Sequence, residues 1–195
     1  MIPEVQEVMN ELDGHRVQFA VLSRWLTPEQ LERPVPGSTW IVKDYVSHLA
    51  TIDGPVGEMF KTMHEGGEAR IGNGDDERWD VDAWNESKVQ GRRSFTVDQI
   101  LEEAARERTI LRGHLASLTE ADLTKTLKFQ GDEKRSPSEV PLGAYLKGWC
   151  KHDVMHAVDM LRAMPERMTP RLEHWFDDPV VRRYQATMNR EQSSR

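Results

Sequence analysis

The sequence predicts an all-α fold, an antiparallel four-helix bundle with short extra helices. Three observations lead there. Four long segments carry apolar residues at three- and four-residue spacing, the mark of amphipathic helices. The connections between them hold little strand-like alternation. In the last long segment His152 and His156 stand about one helical turn apart, on one side of a helix. The chain has 195 residues, 37% hydrophobic and 30% charged, which suits one domain over 1–195 with 166–195 as a C-terminal helical extension.

The first helix is predicted over 3–26. Pro3 suits a first helical position, and Val5, Val8, Met9, Leu12, Phe19, Leu22 and Leu26 form its inward stripe. His15 borders that stripe and reads as a core-edge histidine. Thr27-Pro28-Glu29-Gln30-Leu31 reads as an N-cap and one short turn. Pro34-Val35-Pro36-Gly37 then forces a loop.

Ser38 or Thr39 is the expected cap of the second helix. Its stripe runs through Ile41, Tyr45, His48, Leu49, Ile52, Val56, Met59, Phe60 and Met63. Pro55 lacks the N–H a helix interior needs, so a kink or break is expected there. Residues 65–78 are glycine-rich and acidic and read as a loop, in which Asp75 and Asp76 fit a solvated surface better than a cation site. A short helix containing Trp84 is predicted over 80–91. Thr96 caps the third long helix, 97–118, with Ile100, Leu101, Ala104, Leu111, Leu115 and Leu118 inward and a structural His114 on its border. Thr119 starts another short turn. Residues 125–131 alternate weakly, and 132–138 read as a polar loop.

The fourth long helix is predicted without interruption from Pro141 to Met164. Leu146, Cys150, Val154, Ala157, Leu161 and Met164 make one apolar stripe. Tyr145, Trp149, His152, His156 and Met160 make a neighbouring face, where a pocket between helices would form. Cys150 lies nearly opposite His152 and reads as packing. Asp153 and Asp159 read first as surface aspartates, with an orienting role, or for Asp153 a ligand role, as the alternative. Thr169-Pro170 caps a further short helix, and a terminal helix is expected over 180–190, with the last residues frayed.

Composition narrows the function classes. The net charge of −7 argues against a general nucleic-acid binder. No apolar run approaches the roughly 18 residues of a membrane helix. The N-terminus shows no signal-peptide pattern, and the lone cysteine fits the cytoplasm.

The chemistry rests on the histidines. Two imidazoles one turn apart can share one metal ion, and a third ligand must come from elsewhere. His48 is the candidate, being on the apolar stripe of the second helix. Taken alone it reads as a hydrogen-bonded core histidine; a metal on one nitrogen and a hydrogen bond on the other would satisfy it as well.

Two motifs then carry a resemblance. Pro36-Gly37-Ser38-Thr39-Trp40-Ile41-Val42-Lys43-Asp44-Tyr45-Val46-Ser47-His48-Leu49 is similar to the second-helix motif of the DinB/YfiT-like superfamily, and His152-Asp153-x-x-His156-x-x-Asp159 to its fourth-helix motif. The resemblance covers residues 3–165. It implies a bundle holding a divalent metal, zinc or nickel, on three histidines, here His48, His152 and His156. It also implies a small-molecule substrate and a low-molecular-weight thiol, since the family includes bacillithiol and mycothiol S-transferases and a mycothiol-dependent maleylpyruvate isomerase. The His-Arg-Gly-Gln continuation of many members is replaced by His156-Ala157-Val158-Asp159, which resembles the mycothiol-linked branch. The expected function is therefore a thiol-dependent S-transferase or a related metal-dependent hydrolase or isomerase, with a homodimer as its plausible assembly. The competing expectations are a non-catalytic binding module and a stress-related protein whose metal, if present, only staples the helices.

Overall fold

The computed structural model describes residues 2–71, 80–133 and 135–193; Asn73 to Asp76 of the predicted acidic loop lie outside them. The first bundle member is α1 (Pro3–Arg24), opened by its proline and burying Val5, Val8, Leu12, Phe19 and Leu22. The turn α2 (Pro28–Leu31) follows, where Thr27 and Gln30 satisfy each other's backbone N–H groups.

The second member is α3 (Val42–Thr51) followed by α4 (Asp53–His64). It starts later than the Ser38 or Thr39 cap predicted. Ser38 instead accepts from the Trp40 N–H, and the helix opens after Ile41, whose N–H donates to Asp44 Oδ2 at 3.1 Å. Gly37, at φ 76°, makes the preceding turn. The break between α3 and α4 falls at Ile52. Pro55 accounts for it, because its ring clashes with the carbonyl four residues back, that of Thr51, and it has no N–H to offer there.

Next come β1 (Arg70–Ile71), α5 (Val81–Gln90), α6 (Val97–Ala116), α7 (Glu120–Leu123), β2 (Thr126–Phe129) and β3 (Ser138–Pro141). Thr96 caps α6 as predicted, and Thr96 and Gln99 accept from each other's backbone N–H groups. The three strands form a small sheet in the order β1-β2-β3, parallel then antiparallel, with Leu127 opposite Val140. The sheet is a small addition to a mostly helical fold, and β2 falls in the weakly alternating stretch 125–131. Only Leu127 in β2 is buried, so the apolar signal that would announce the strands is nearly absent.

The fourth member also corrects the prediction. It is two helices, α8 (Leu142–Trp149) and α9 (His152–Arg162), separated at Cys150 and Lys151. A 3₁₀ turn (Pro165–Arg167), α10 (Pro170–Phe176) and α11 (Pro179–Ser193) complete the chain, and α10 and α11 both pack on α9. Helices α6 and α9 each pack against both α1 and α3, which makes the four-helix bundle.

The core is two apolar clusters stacked along the bundle. One gathers Phe19, Val46, Leu49, Ile100, Ala157 and Leu161. The other gathers Leu12, Val56, Phe60, Leu111, Leu127 and Leu146. Between them lies a layer of four buried charges, one from each bundle member. Arg16 of α1 donates to Asp153 of α9 through Nε at 2.7 Å and Nη2 at 3.1 Å. Arg108 of α6 donates to Asp53 of α4 through Nε at 2.7 Å and Nη2 at 3.3 Å, and to the Leu12 carbonyl at 2.7 Å. Arg16 also reaches Asp53 at 3.5 Å, and Arg108 reaches Asp153 at 3.8 Å, so the four form one network. Both aspartates sit in the first turn of a helix, where the helix dipole favours a negative charge. Both helix breaks therefore lie at the level of this layer.

Candidate metal centre

Helix α3 carries His48 on its buried face, only 4% exposed. Helix α9 begins at His152 and places His156 one turn on, so both rings project to the same side. The three imidazoles meet. The Nε2 atoms of His152 and His156 are 3.2 Å apart, and one ring nitrogen from each of the three lies within 4.8 Å of the others. The His48 ring centroid is 4.9 Å from that of His156 and 5.3 Å from that of His152. Two nitrogens bound to one tetrahedral ion at about 2.0–2.1 Å are themselves roughly 3.3 Å apart. The observed pair has that separation.

Aromatic side chains hold the rings. Trp149 stacks on His152, with centroids 4.6 Å apart and planes at 17°. Trp40 lies 5.3 Å from His48 and is fixed from behind by its Nε1 bond to Glu86 of α5 at 2.7 Å. Tyr45 lies 5.4 Å from His156. Burial pushes His48 well below the usual histidine range, and the neighbouring His156 adds to it. His152 is pushed down by burial, by the other two histidines and by Arg16 and Arg108. Both rings are therefore neutral at physiological pH, which is the state in which imidazole ligates a metal. Their Nδ1 atoms are buried with no hydrogen-bond partner among the described residues. Three imidazoles this close, with buried polar atoms left over, fit a divalent ion better than a hydrogen-bonded core.

His156 differs in having an outer partner. Its Nδ1 lies 3.0 Å from Asp159 Oδ2, and the Tyr184 hydroxyl of α11 donates to the same oxygen at 2.6 Å. A carboxylate only accepts, so Nδ1 carries a proton, and Nε2 is the nitrogen turned toward His152. Burial and the Asp159 charge push the Tyr184 phenol above its usual range, and the same two causes raise Tyr45 to about 12.

The structure brings His48, His152 and His156 together, sets Asp159 against His156 and places the other sequence candidates elsewhere. Asp153, read first as a surface aspartate, is 3% exposed and points into the charge layer. Asp159, read the same way, is 1% exposed and orients His156. Cys150 is buried; its thiol donates to Glu11 at 2.7 Å, and burial with that carboxylate pushes it up to about 12. His15 accepts from Trp175 Nε1 at 2.9 Å, a structural role, and His114 lies beside His64 rather than the centre. Tyr184 escaped the sequence reading, and nothing in the C-terminal segment singles it out. Arg16 and Arg108 were detectable. Each occupies a position on an apolar stripe, Arg16 between Leu12 and Phe19 and Arg108 between Ala104 and Leu111.

A cavity of about 990 Å³ opens nearby, lined by residues that include Thr51, Asp53, Trp84, Lys88, Glu107 and His114. Its described walls come from α3, α4, β1, α5 and α6 and include no residue of α9. His152 and His156 are both partly exposed, the His156 side chain by 16%, while His48 is buried.

The fold has known counterparts. It is similar to the crystal structure of a mycothiol-dependent maleylpyruvate isomerase, with a TM-score of 0.60 and 11% identity over 82% of this chain. The match spans 61% of that isomerase, less than two thirds of its length. It is also similar to YfiT from Bacillus subtilis, described as a probable metal-dependent hydrolase with an unusual four-helix bundle topology. There the TM-score is 0.63 and the identity 18%, over 85% of this chain and 90% of that one. No curated protein sequence matches. A sequence model of the DinB superfamily matches residues 11–160, a stretch that contains the three candidate histidines and most of each bundle member, and the chain belongs to that superfamily.

Proposed function

We propose that the chain is a metal-dependent enzyme in which His48, His152 and His156 hold zinc or nickel. A low-molecular-weight thiol, mycothiol or bacillithiol, is the nucleophile or cofactor, and a small electrophilic molecule is the substrate. The observation that carries this reading is the convergence of three imidazoles, two of them 3.2 Å apart at Nε2, around one centre. When bound, the ion supplies a Lewis-acidic position that lowers the pKa of a thiol or water. The chain's own residues do the rest. His48 and His152 stay neutral, Asp159 fixes the His156 tautomer, and Trp149 and Trp40 keep the rings from turning. Cys150 does not compete as nucleophile, because its thiol is held protonated against Glu11. The mycothiol dependence of one structural counterpart supports a thiol over water.

A metal that only staples α3 to α9 is the second reading, favoured by the cavity lying against α4, α5 and α6. Cobalt-substituted protein separates the two. Added thiol is expected to produce a thiolate-to-cobalt charge-transfer absorption that His48→Ala protein lacks. Cobalt that stays bound with its spectrum unmoved by any thiol, and no turnover, would leave the staple.

Among the described residues no helix is long and apolar enough to cross a membrane, in keeping with a cytoplasmic location as part of this proposal. As part of the same proposal, a homodimer would pair through the outer face of α1, where Val17 and Val21, and Trp25 at its C-terminal cap, are exposed at four-residue intervals. Light scattering should report a dimer that Trp25→Glu converts to monomer; a monomeric wild type removes the assignment.

A further inference from the structure

We infer that α11 completes the metal centre: Tyr184 is a positioning residue that holds Asp159 in place as the outer partner of His156. This rests on the metal reading above and adds a component from outside the residues matched by the superfamily model, which end at 160.

The geometry is a relay of three groups. Tyr184 donates to Asp159 Oδ2 at 2.6 Å, and His156 Nδ1 meets the same oxygen at 3.0 Å. The other carboxylate oxygen, Oδ1, is buried and has no hydrogen bond; its nearest cation is Arg162 Nη1 at 3.9 Å. Without Tyr184, therefore, the buried carboxylate keeps one hydrogen bond, the one to His156, and nothing strong fixes its rotamer. His48 and His152 have no hydrogen bond at Nδ1, and Asn85 of α5 lies against the His48 ring; the Asp159–Tyr184 pair is the two-membered outer support of His156.

The helix that carries Tyr184 is itself pinned to the site. Asp178 Oδ1 accepts from the Val180 N–H at 2.7 Å and opens α11. Its Oδ2 lies 3.2 Å from Lys151 Nζ, and Lys151 immediately precedes His152. Lys151 also reaches Glu11 of α1 at 3.0 Å. Val181 is fully buried in the apolar cluster that surrounds α9. Thus α11 is fastened at the start of the ligand helix by an ion pair and packing, and one further turn on by the tyrosine.

The test uses cobalt as the probe, titrated into metal-free wild type, Tyr184→Phe, Asp159→Asn and the double variant. Tyr184→Phe keeps the ring and loses the hydroxyl. It is expected to weaken cobalt binding about 10-fold, near the lower end of what outer partners contribute, and to alter the cobalt d–d absorption. Asp159→Asn should weaken it by roughly 10–100-fold, and the double variant should be no weaker than Asp159→Asn alone, because the tyrosine acts through the carboxylate. Leu115→Ala opens a gap in the other apolar cluster, away from α11 and Asp159; it should lower the melting temperature and leave cobalt binding by folded protein unchanged. Tyr184→Phe protein with wild-type affinity and spectrum, additive losses in the double variant, or an equal loss in Leu115→Ala would overturn the inference. Wild-type protein that takes up no cobalt overturns the metal reading and this inference with it.

Discussion

His152→Ala protein, purified without a histidine tag, is expected to lose its divalent metal. Removal of one of three ligands should lower affinity by more than the roughly 10–100-fold that loss of an outer partner brings. The comparison is elemental analysis of wild type, His152→Ala and His114→Ala side by side. Wild type should hold one zinc or nickel per chain. His114 lies beside His64, away from the centre, so its variant should match wild type. Only the folded chain holds the three rings together, so on the proposed reading added metal should also raise the melting temperature. At a free concentration 100 times Kd the gain is about 2.7 kcal/mol, or roughly 5–11 °C for a chain of this size. Equal metal content in wild type and His152→Ala would remove the site. The histidines would then be three packed rings with unpaired nitrogens.

The second large effect is on stability. Asp153→Ala should cost about 3–5 kcal/mol, roughly 6–20 °C in Tm. The reason is what it leaves behind. Arg16 and Arg108 have side chains only 10% and 6% exposed, and they would share Asp53 as the one remaining carboxylate of the layer. Burial alone would raise the Asp153 carboxyl, yet Arg16 and Arg108 outweigh it and hold that carboxyl below the usual range. The layer as a whole is a different matter. Four charges withdrawn from water have lost their hydration, and apolar residues of similar volume often do as well. Arg16→Met combined with Asp153→Leu is therefore expected to be more stable than Asp153→Ala alone. Denaturant unfolding of the three proteins decides it. A loss below about 1 kcal/mol in Asp153→Ala would show that the network contributes no more than an exposed pair.

How legible the protein is in its sequence varies with the range of the forces involved. The helices were legible because burial of one face repeats every turn, and Thr27, Thr96, Thr119 and Thr169 mark helix starts by local hydrogen bonds. The break before α4 was legible through Pro55, a local steric effect. The break before His152 was not. No proline stands there, and Lys151 is held by Glu11 and Asp178, which are distant in sequence. The three histidines were suggested by spacing and by resemblance, and the structure brings their donor atoms within 4.8 Å of one another. Asp153 was misjudged because a lone aspartate on a helix normally faces water. Its partners, Arg16 and Arg108, were visible only as charges on apolar stripes. Tyr184 lay beyond reach, since nothing local links it to Asp159, 25 residues away.

The two helix interruptions at one level have a consequence for how the molecule moves. A continuous rod transmits a displacement along its whole length; a jointed one does not. Here α3 and α9, which carry the three candidate ligands, pack in one apolar cluster, and α4 and α8 pack in the other. Amide hydrogen exchange with and without zinc is expected to show this directly. Protection should rise in α3, α9 and α11 and remain unchanged in α4 and α8. The charge layer then acts as a seam between a half that responds to chemistry and a half that anchors it, so residues below the seam can vary without retuning the site above.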